Sequence, residues 1–134
     1  MIRGVKIING LRNKDDFDLV YKDGKVIISG DRKIKITYII NEKSGSRSIK
    51  TAVTVSSKAG KAVWRNRFKR VVNEALIHEK EILKEVVMHK KSGLLIIFSP
   101  YSINQISTKK IYYRDVHAAI IDILIKLKKT TTGN

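Results

Sequence analysis

Thirteen consecutive residues, Lys58-Ala-Gly-Lys-Ala-Val-Trp-Arg-Asn-Arg-Phe-Lys-Arg70, hold six cations (Lys58, Lys61, Arg65, Arg67, Lys69 and Arg70) and no acid. At about 100° per residue, a helix through this segment gathers Trp64, Phe68, Val71, Val72 and Ala75 into one apolar arc. Arg65, Asn66, Arg67, Lys69 and Arg70 spread over the wider remainder. The helix must therefore anchor itself by one face and offer the rest as cationic surface. Charge on a helix is ordinarily just a solvated face of mixed sign, as this chain shows further on at His78-Glu79-Lys80-Glu81 and Lys84-Glu85. The single-sign block repels itself and makes sense only beside an anionic partner. Arginine forks suit phosphate oxygens, and the Asn66 amide can both donate and accept in the same contact.

The rest of the chain agrees with a folded, polyanion-binding domain. Its 134 residues correspond to a single domain, and the net charge is +16. At 43% hydrophobic residues it can still bury a core. The absence of cysteine excludes disulfides, thiolate metal sites and a cysteine nucleophile. The longest apolar runs, such as Leu94–Phe98, are far short of the ~20 residues a membrane helix needs. No secretory signal is evident, so a cytoplasmic protein is expected.

Residues 1–10 show no clear period and stay unassigned as an N-terminal extension. Asn13 is a candidate helix cap, with Asp15 and Asp16 in the first turn and Phe17, Val20 and Tyr21 at helical spacing; Asp23-Gly24 ends that helix. Val26–Ile28 is strand-like, and Ile34, Ile36 and Tyr38 alternate with Lys35 and Thr37 in a second strand. After a turn cluster at Asn41–Ser48, a third strand points Thr51, Val53 and Val55 to one side and the smaller Ala52, Thr54 and Ser56 to the other. That second side leaves room for something to lie across the sheet. The helical period then runs unbroken from Ala62 to about Val87. Lys90–Gly93 reads as a loop, and Leu94–Phe98 as a strand buried on both faces, closed by Pro100. A last helix from about Tyr113 to Leu127 buries Val116, Ile120, Ile123, Leu124 and Leu127. Residues 128–134 are expected to form a frayed polar tail. The order is α-β-β-β-α-β-α, an α+β sandwich whose single domain covers residues 11–127.

The segment from Val53 to Ala75 closely resembles the signature of the protein subunit of bacterial ribonuclease P. Its centre is Arg65-Asn66-Arg67-Phe68-Lys69-Arg70, preceded by a strand ending Ser56-Ser57-Lys58 and a Gly60-Lys61-Ala62-Val63 approach. Upstream, Leu11 to Gly24, with Phe17, Val20 and Tyr21, looks like the family's first helix, and the likeness covers most of residues 11–127. It implies the α-β-β-β-α-β-α fold with a left-handed βαβ crossover, against the usual right-handed preference. It also implies a partner: a catalytic RNA that, with bound magnesium, cuts the 5′ leader from precursor tRNA, while the protein is not itself catalytic. By the resemblance, Lys61, Arg65, Asn66, Arg67, Lys69 and Arg70 contact the catalytic RNA. The cleft between the first helix and the sheet would hold the leader, through Phe17, Tyr21, Ala52, Thr54, Ser56 and Lys58. From the second strand Lys35 or Tyr38 adds to it, and Tyr38 is the residue assigned. Phe17 and Tyr21 could equally be a hydrophobic anchor for their helix. Two positions depart from the family pattern: Asn73 stands where a third arginine is common, and Ser57 where a lysine is.

Other chemistry is poorly served. His78, His89 and His117 lack metal-ligand spacing, and there is no phosphate loop or hydrolase elbow. Two alternatives stay open: a ribosomal or other RNA-structuring protein using the same basic helix, and a self-sufficient metal-dependent nuclease built on Asp15, Asp16 and Glu74. Glu74 also has the i,i+4 spacing to pair with Arg70.

Overall fold

The doubly apolar run Leu94–Phe98 lies at the centre of the sheet. The computed structural model describes residues 6–9, 14–41, 48–87 and 93–132. Its elements are β1 (Lys6–Asn9), α1 (Lys14–Asp23), β2 (Lys25–Ile28), β3 (Ile34–Asn41), β4 (Ser48–Val53), a 3₁₀ turn (Ser57–Ala59), α2 (Ala62–His78), α3 (Lys80–Val87), β5 (Gly93–Pro100) and α4 (Tyr113–Thr132). Among the described residues five strands form one sheet in the order β1-β4-β5-β3-β2. β1 runs parallel to β4 and β4 parallel to β5, while β3 is antiparallel to both β5 and β2. The parallel neighbours β4 and β5 are joined through α2 and α3, which makes a βαβ connection.

Strand periodicity divides the molecule into two apolar layers. Register pairs Ile36 with Phe98 and Val53 with Phe98, so these residues share one face. On that face Ile34, Ile36, Tyr38, Ile49, Leu94, Ile96 and Phe98 pack with Trp64, Phe68, Val71, Val72 and the inner sides of α3 and α4. On the opposite face Leu95 and Ile97 meet Val20 of α1, flanked by Phe17, Leu19, Ile39 and Ala52. β5 is thus covered on both sides, and each large side chain so buried contributes about 1.5–3 kcal/mol. All five apolar positions expected on the last helix are buried, as are the five on α2, with Leu76 added.

Gly24 ends α1 because no other residue fits. Its N–H donates to the Val20 carbonyl at 2.8 Å, and a Cβ there would come within 2.2 Å of that same oxygen.

Several expectations need correction. The N-terminal extension is not wholly outside the domain, since Lys6–Asn9 forms an edge strand hydrogen-bonded along β4. The long helical stretch from Ala62 is two helices, turned at Glu79 (φ −111°, ψ 26°) without Pro or Gly. Tertiary contacts account for the turn: the Glu79 carboxylate meets His117 Nε2 at 3.1 Å, and His78 Nδ1 shares a hydrogen bond with the Tyr113 hydroxyl. The bend lets Leu83, Val86 and Val87 face α4. The polar tail is also helical as far as Thr132, and Thr131 is buried with its hydroxyl donating to the Leu127 carbonyl at 3.0 Å. The cap assigned to Asn13, most of the 41–48 turn cluster and the loop around Lys90 lie outside the described residues.

The β2–β3 turn is tied to α4 by Asp122, which accepts from the Gly30 N–H at 2.7 Å and pairs with Lys126 at 2.9 Å. The hydrogen bond from Lys126, followed by that from Gly30, holds the Asp122 carboxyl below its ordinary value near 3.8. A depressed folded-state pKa stabilises the fold above the unfolded value, and the contribution is lost as pH falls through the folded one. Asp122→Ala is therefore expected to lower the urea midpoint at pH 7, with the difference from the parent shrinking steadily below about pH 4.

Candidate nucleic-acid interface

α2 is held by more than its apolar stripe. Trp64 and Phe68 lie one turn apart with ring centroids 6.0 Å apart and planes nearly parallel, and Trp64 Nε1 donates to the Thr108 carbonyl at 2.8 Å. Arg67 donates through Nε (3.0 Å) and Nη2 (2.7 Å) to the Ile111 carbonyl. At the head of the helix the Lys61 N–H donates to Gln105 Oε1, and the Gln105 N–H to the Ala59 carbonyl, both at 2.7 Å. The loop from Tyr101 to Tyr112 is thereby pinned to α2 and to the 3₁₀ turn. Gly60 permits the approach, since a Cβ there would lie 2.9 Å from Gln105 Cβ and 3.1 Å from the Trp64 ring.

The outer sides of α2 are a different environment. Lys61, Asn66, Arg67 and Arg70 are exposed, Arg65 and Lys69 half-buried, and Val63 is 83% exposed among them. Ion pairs among the described residues include Lys50 with Asp16, Lys84 with Glu81, Arg114 with Asp115, His117 with Glu79, Lys126 with Asp122 and Lys128 with Glu85. None involves Lys58, Lys61, Arg65, Arg67, Lys69 or Arg70, and the Arg70–Glu74 pair allowed by spacing is not formed. Arg65 and Arg67 use part of their donor sets on backbone carbonyls, Arg65 Nε reaching Gly60 at 3.1 Å. These contacts orient the guanidinium groups without neutralising them. Lys61, at the N-cap of α2, makes no side-chain cap bond to the first turn, so the positive end of the helix dipole adds to the same field.

A concavity lies on the α1 side of the sheet. It is lined by Tyr21, Lys35, Thr54, Ser56, Lys58 and Tyr101, among others. Tyr21 is 58% exposed, and its hydroxyl sits 3.5 Å from Thr54 Oγ1. Phe17 stacks on Tyr21 one turn away, ring centroids 6.4 Å apart, and packs on the Val20, Leu95 and Ile97 cluster, so it anchors α1 behind Tyr21 and does not itself line the concavity. Ala52 packs against the same apolar cluster under α1 and is not among the residues lining the concavity. Ser56 Oγ accepts from the Lys58 N–H at 3.2 Å, which sets the 3₁₀ turn and the placement of Lys58. A second, basic groove is lined by Lys58, Ala59, Lys61, Arg65, Gln105 and Lys109. Lys58 and Ala59 line both, so the cleft and the cationic helix meet at the 3₁₀ turn.

Tyr38 is misplaced by the sequence reading. It is 4% exposed within the core on the α2–α4 side, where burial pushes its phenol pKa up. Alternation puts Lys35, not Tyr38, on the α1 face, and Lys35 is the β3 residue that lines the cleft. Sequence reasoning also missed Tyr101, Gln105 and Lys109. Nothing local announces them, because hydrogen bonds to residues some forty positions earlier bring their loop to the site.

The ribonuclease P family model matches residues 7–120. The chain belongs to the ribonuclease P protein family. The ribonuclease P protein component of Alkaliphilus oremlandii is 32% identical over 123 residues, covering 92% of this chain and 94% of its own. That of Clostridioides difficile is 32% identical over 115 residues, covering 86% and 88%. The solved RNase P protein from Thermotoga maritima aligns with a TM-score of 0.67 at 23% identity, covering 87% of this chain and 94% of that one. The Staphylococcus aureus RNase P protein gives 0.66 at 20% identity, covering 91% and 96%. Both share the fold. Family membership makes this chain an RNA-binding protein with a part in precursor tRNA processing by an endoribonuclease.

The two hydrogen bonds from Arg67 to Ile111 give it a structural task beside its charge. Arg67→Lys keeps the charge and loses the fork, and is expected to cost about 1 kcal/mol in urea unfolding. Arg70→Lys, which breaks no such contact, is expected to stay within about 0.5 kcal/mol of the parent.

Proposed function

We propose that this chain is the non-catalytic partner of the ribonuclease P catalytic RNA, and that its two surfaces take two different RNAs. The face carrying Lys61, Arg65, Asn66, Arg67, Lys69 and Arg70 binds the catalytic RNA. The cleft carrying Phe17, Tyr21, Ala52, Thr54, Ser56 and Lys58, with Lys35, receives the single-stranded 5′ leader of precursor tRNA. The supporting observation is the continuity of a cationic helix face without acidic partners with an aromatic-edged cleft, through Lys58 and Ala59. Phosphate contacts supply affinity on the first surface, and stacking on Tyr21 and Phe17 suits unstacked bases on the second. The proposal assigns this work to the cytoplasm; no helix among the described residues is long and apolar enough to cross a membrane.

In this reading magnesium belongs to the RNA, where it supplies the metal chemistry of leader cleavage. The described acidic and histidine side chains do not gather into a group of three able to hold an ion. Placement speaks against the nuclease alternative: Asp16 of α1 pairs with Lys50 at 3.5 Å on one side of the sheet, whereas Glu74 projects from α2 on the other. A ribosomal role without tRNA processing is disfavoured by the family match.

Adding the protein to its cognate catalytic RNA is expected to raise cleavage of precursor tRNA at low magnesium, and protein without RNA to leave the substrate intact. Arg65→Ala with Lys69→Ala is expected to weaken binding to the catalytic RNA and to reduce the log K against log salt slope by roughly 0.7–0.9 per lost phosphate contact. Tyr21→Ala is expected to leave that slope alone and to cost about 1–3 kcal/mol in binding leader-bearing substrate. Equal effects of both changes on both steps would show that the surfaces are wrongly divided.

A further inference from the structure

Among the described residues Arg32 is the one non-glycine residue with positive φ, at 62°. L-residues avoid this region, and such strain persists where surrounding contacts fix it, often at ligand clamps. The turn around Arg32 is fixed thoroughly. The Arg32 N–H donates to the Ser29 carbonyl at 2.8 Å, the buried Ser29 hydroxyl donates to Asp31 at 2.6 Å, and the Lys33 N–H donates to the same carboxylate at 3.0 Å. Asp122 holds the Gly30 N–H from the far side. The strained backbone sets the Arg32 guanidinium 5.4 Å from the Tyr101 ring centroid, with Nη2 3.4 Å from the hydroxyl. The Tyr101 backbone is fastened in turn, its N–H donating to the Lys33 carbonyl at 2.8 Å.

The chain's ordinary needs do not explain this arrangement. Glycine would remove the strain at position 32, and the turn's hydrogen bonds, donated by the Ser29 hydroxyl and the Lys33 N–H to Asp31 and by the Ile34 N–H to the Ser29 hydroxyl, do not use the Arg32 side chain. What the side chain does is brace a 43% exposed tyrosine that lines the same concavity as Tyr21, Lys35 and Lys58. Arg32 is exposed, and none of the ion pairs of the described residues includes it. Its remaining donors stay available to an anion. An aromatic ring braced by a guanidinium offers stacking for a base and hydrogen bonds for a phosphate in one place.

We infer that Arg32 and Tyr101 form a second nucleotide subsite in the cleft, taking one unstacked base on the Tyr101 ring and its phosphate on Arg32, separately from the stacking position at Tyr21. The inference rests on the reading of the cleft as the leader's channel, and it adds a length requirement. Only a leader long enough to pass Tyr21 and reach the β2–β3 turn gains the extra contact.

The test measures the affinity of the complex of protein and cognate catalytic RNA for mature tRNA and for precursor tRNAs whose leaders grow one nucleotide at a time. Wild-type affinity is expected to rise in two steps with leader length. Arg32→Gly and Tyr101→Ala are expected to remove the later step, roughly tenfold in affinity, and to keep the earlier one. Tyr101→Phe is expected to retain it, because the ring survives. Thermal unfolding of Arg32→Gly separates strain from structure: a subsite built at the fold's expense gives a melting temperature equal to or above the parent's. If both variants follow the wild-type curve at every length while Tyr21→Ala still lowers it, the subsite is refuted and the cleft reading survives. If wild-type affinity does not depend on the leader at all, both are refuted.

Discussion

The anchoring of α2 by one face is the constraint on which the rest of the molecule depends. Trp64, Phe68, Val71 and Val72 go into the core beneath β4 and β5, and the indole N–H and Arg67 reach out to fasten the loop that precedes α4. This grip holds in place a helix whose outer surface is electrostatically unfavourable to itself. A cationic block of this density gains nothing from the fold. It is tolerated because apolar burial outweighs the self-repulsion, and it becomes favourable once phosphate neutralises it. Folding energy is thus held on one side of a single helix and recognition on the other.

The sheet distributes its two faces on the same principle. β5 is apolar on both sides because α1 covers one and the three later helices cover the other. α1 shields Leu95 and Ile97 through Val20 while leaving Tyr21, Thr54 and Ser56 along an open margin. The 3₁₀ turn that caps itself through Ser56 places Lys58 at the boundary of the cleft and the basic groove. One short turn therefore couples the two surfaces, and the strained turn at Arg32 borders the cleft on another side.

What could be read from the residues alone was whatever periodicity encodes. The α2 stripe, the two sides of β4 and the double burial of β5 follow from spacing, and all are present. Parity also contained the answer for β3, since Ile34, Ile36 and Tyr38 must share a face. Assigning Tyr38 to the cleft set its aromatic character above its position, and the structure puts Lys35 there instead. The features that stayed hidden are those created by distant partners. β1 joins the sheet by backbone pairing with β4, the bend at Glu79 coincides with its contact to His117, and the 101–112 loop is seated by Gln105, Thr108 and Ile111. Thr131 extends α4 because its hydroxyl is satisfied by carbonyls, which a polar tail does not advertise. The family signature carried the identity of the partner, which charge alone could not.

The claim that α2 grips the core with one side and RNA with the others is tested most directly by footprinting lysine reactivity. Acylation rates at each lysine, read by mass spectrometry, are compared for the protein alone and in complex with its cognate catalytic RNA. The account predicts strong protection of Lys61 and Lys69 with little change at Lys80 and Lys129. Full reactivity at Lys61 and Lys69 in a saturated complex, with protection concentrated elsewhere, would contradict it.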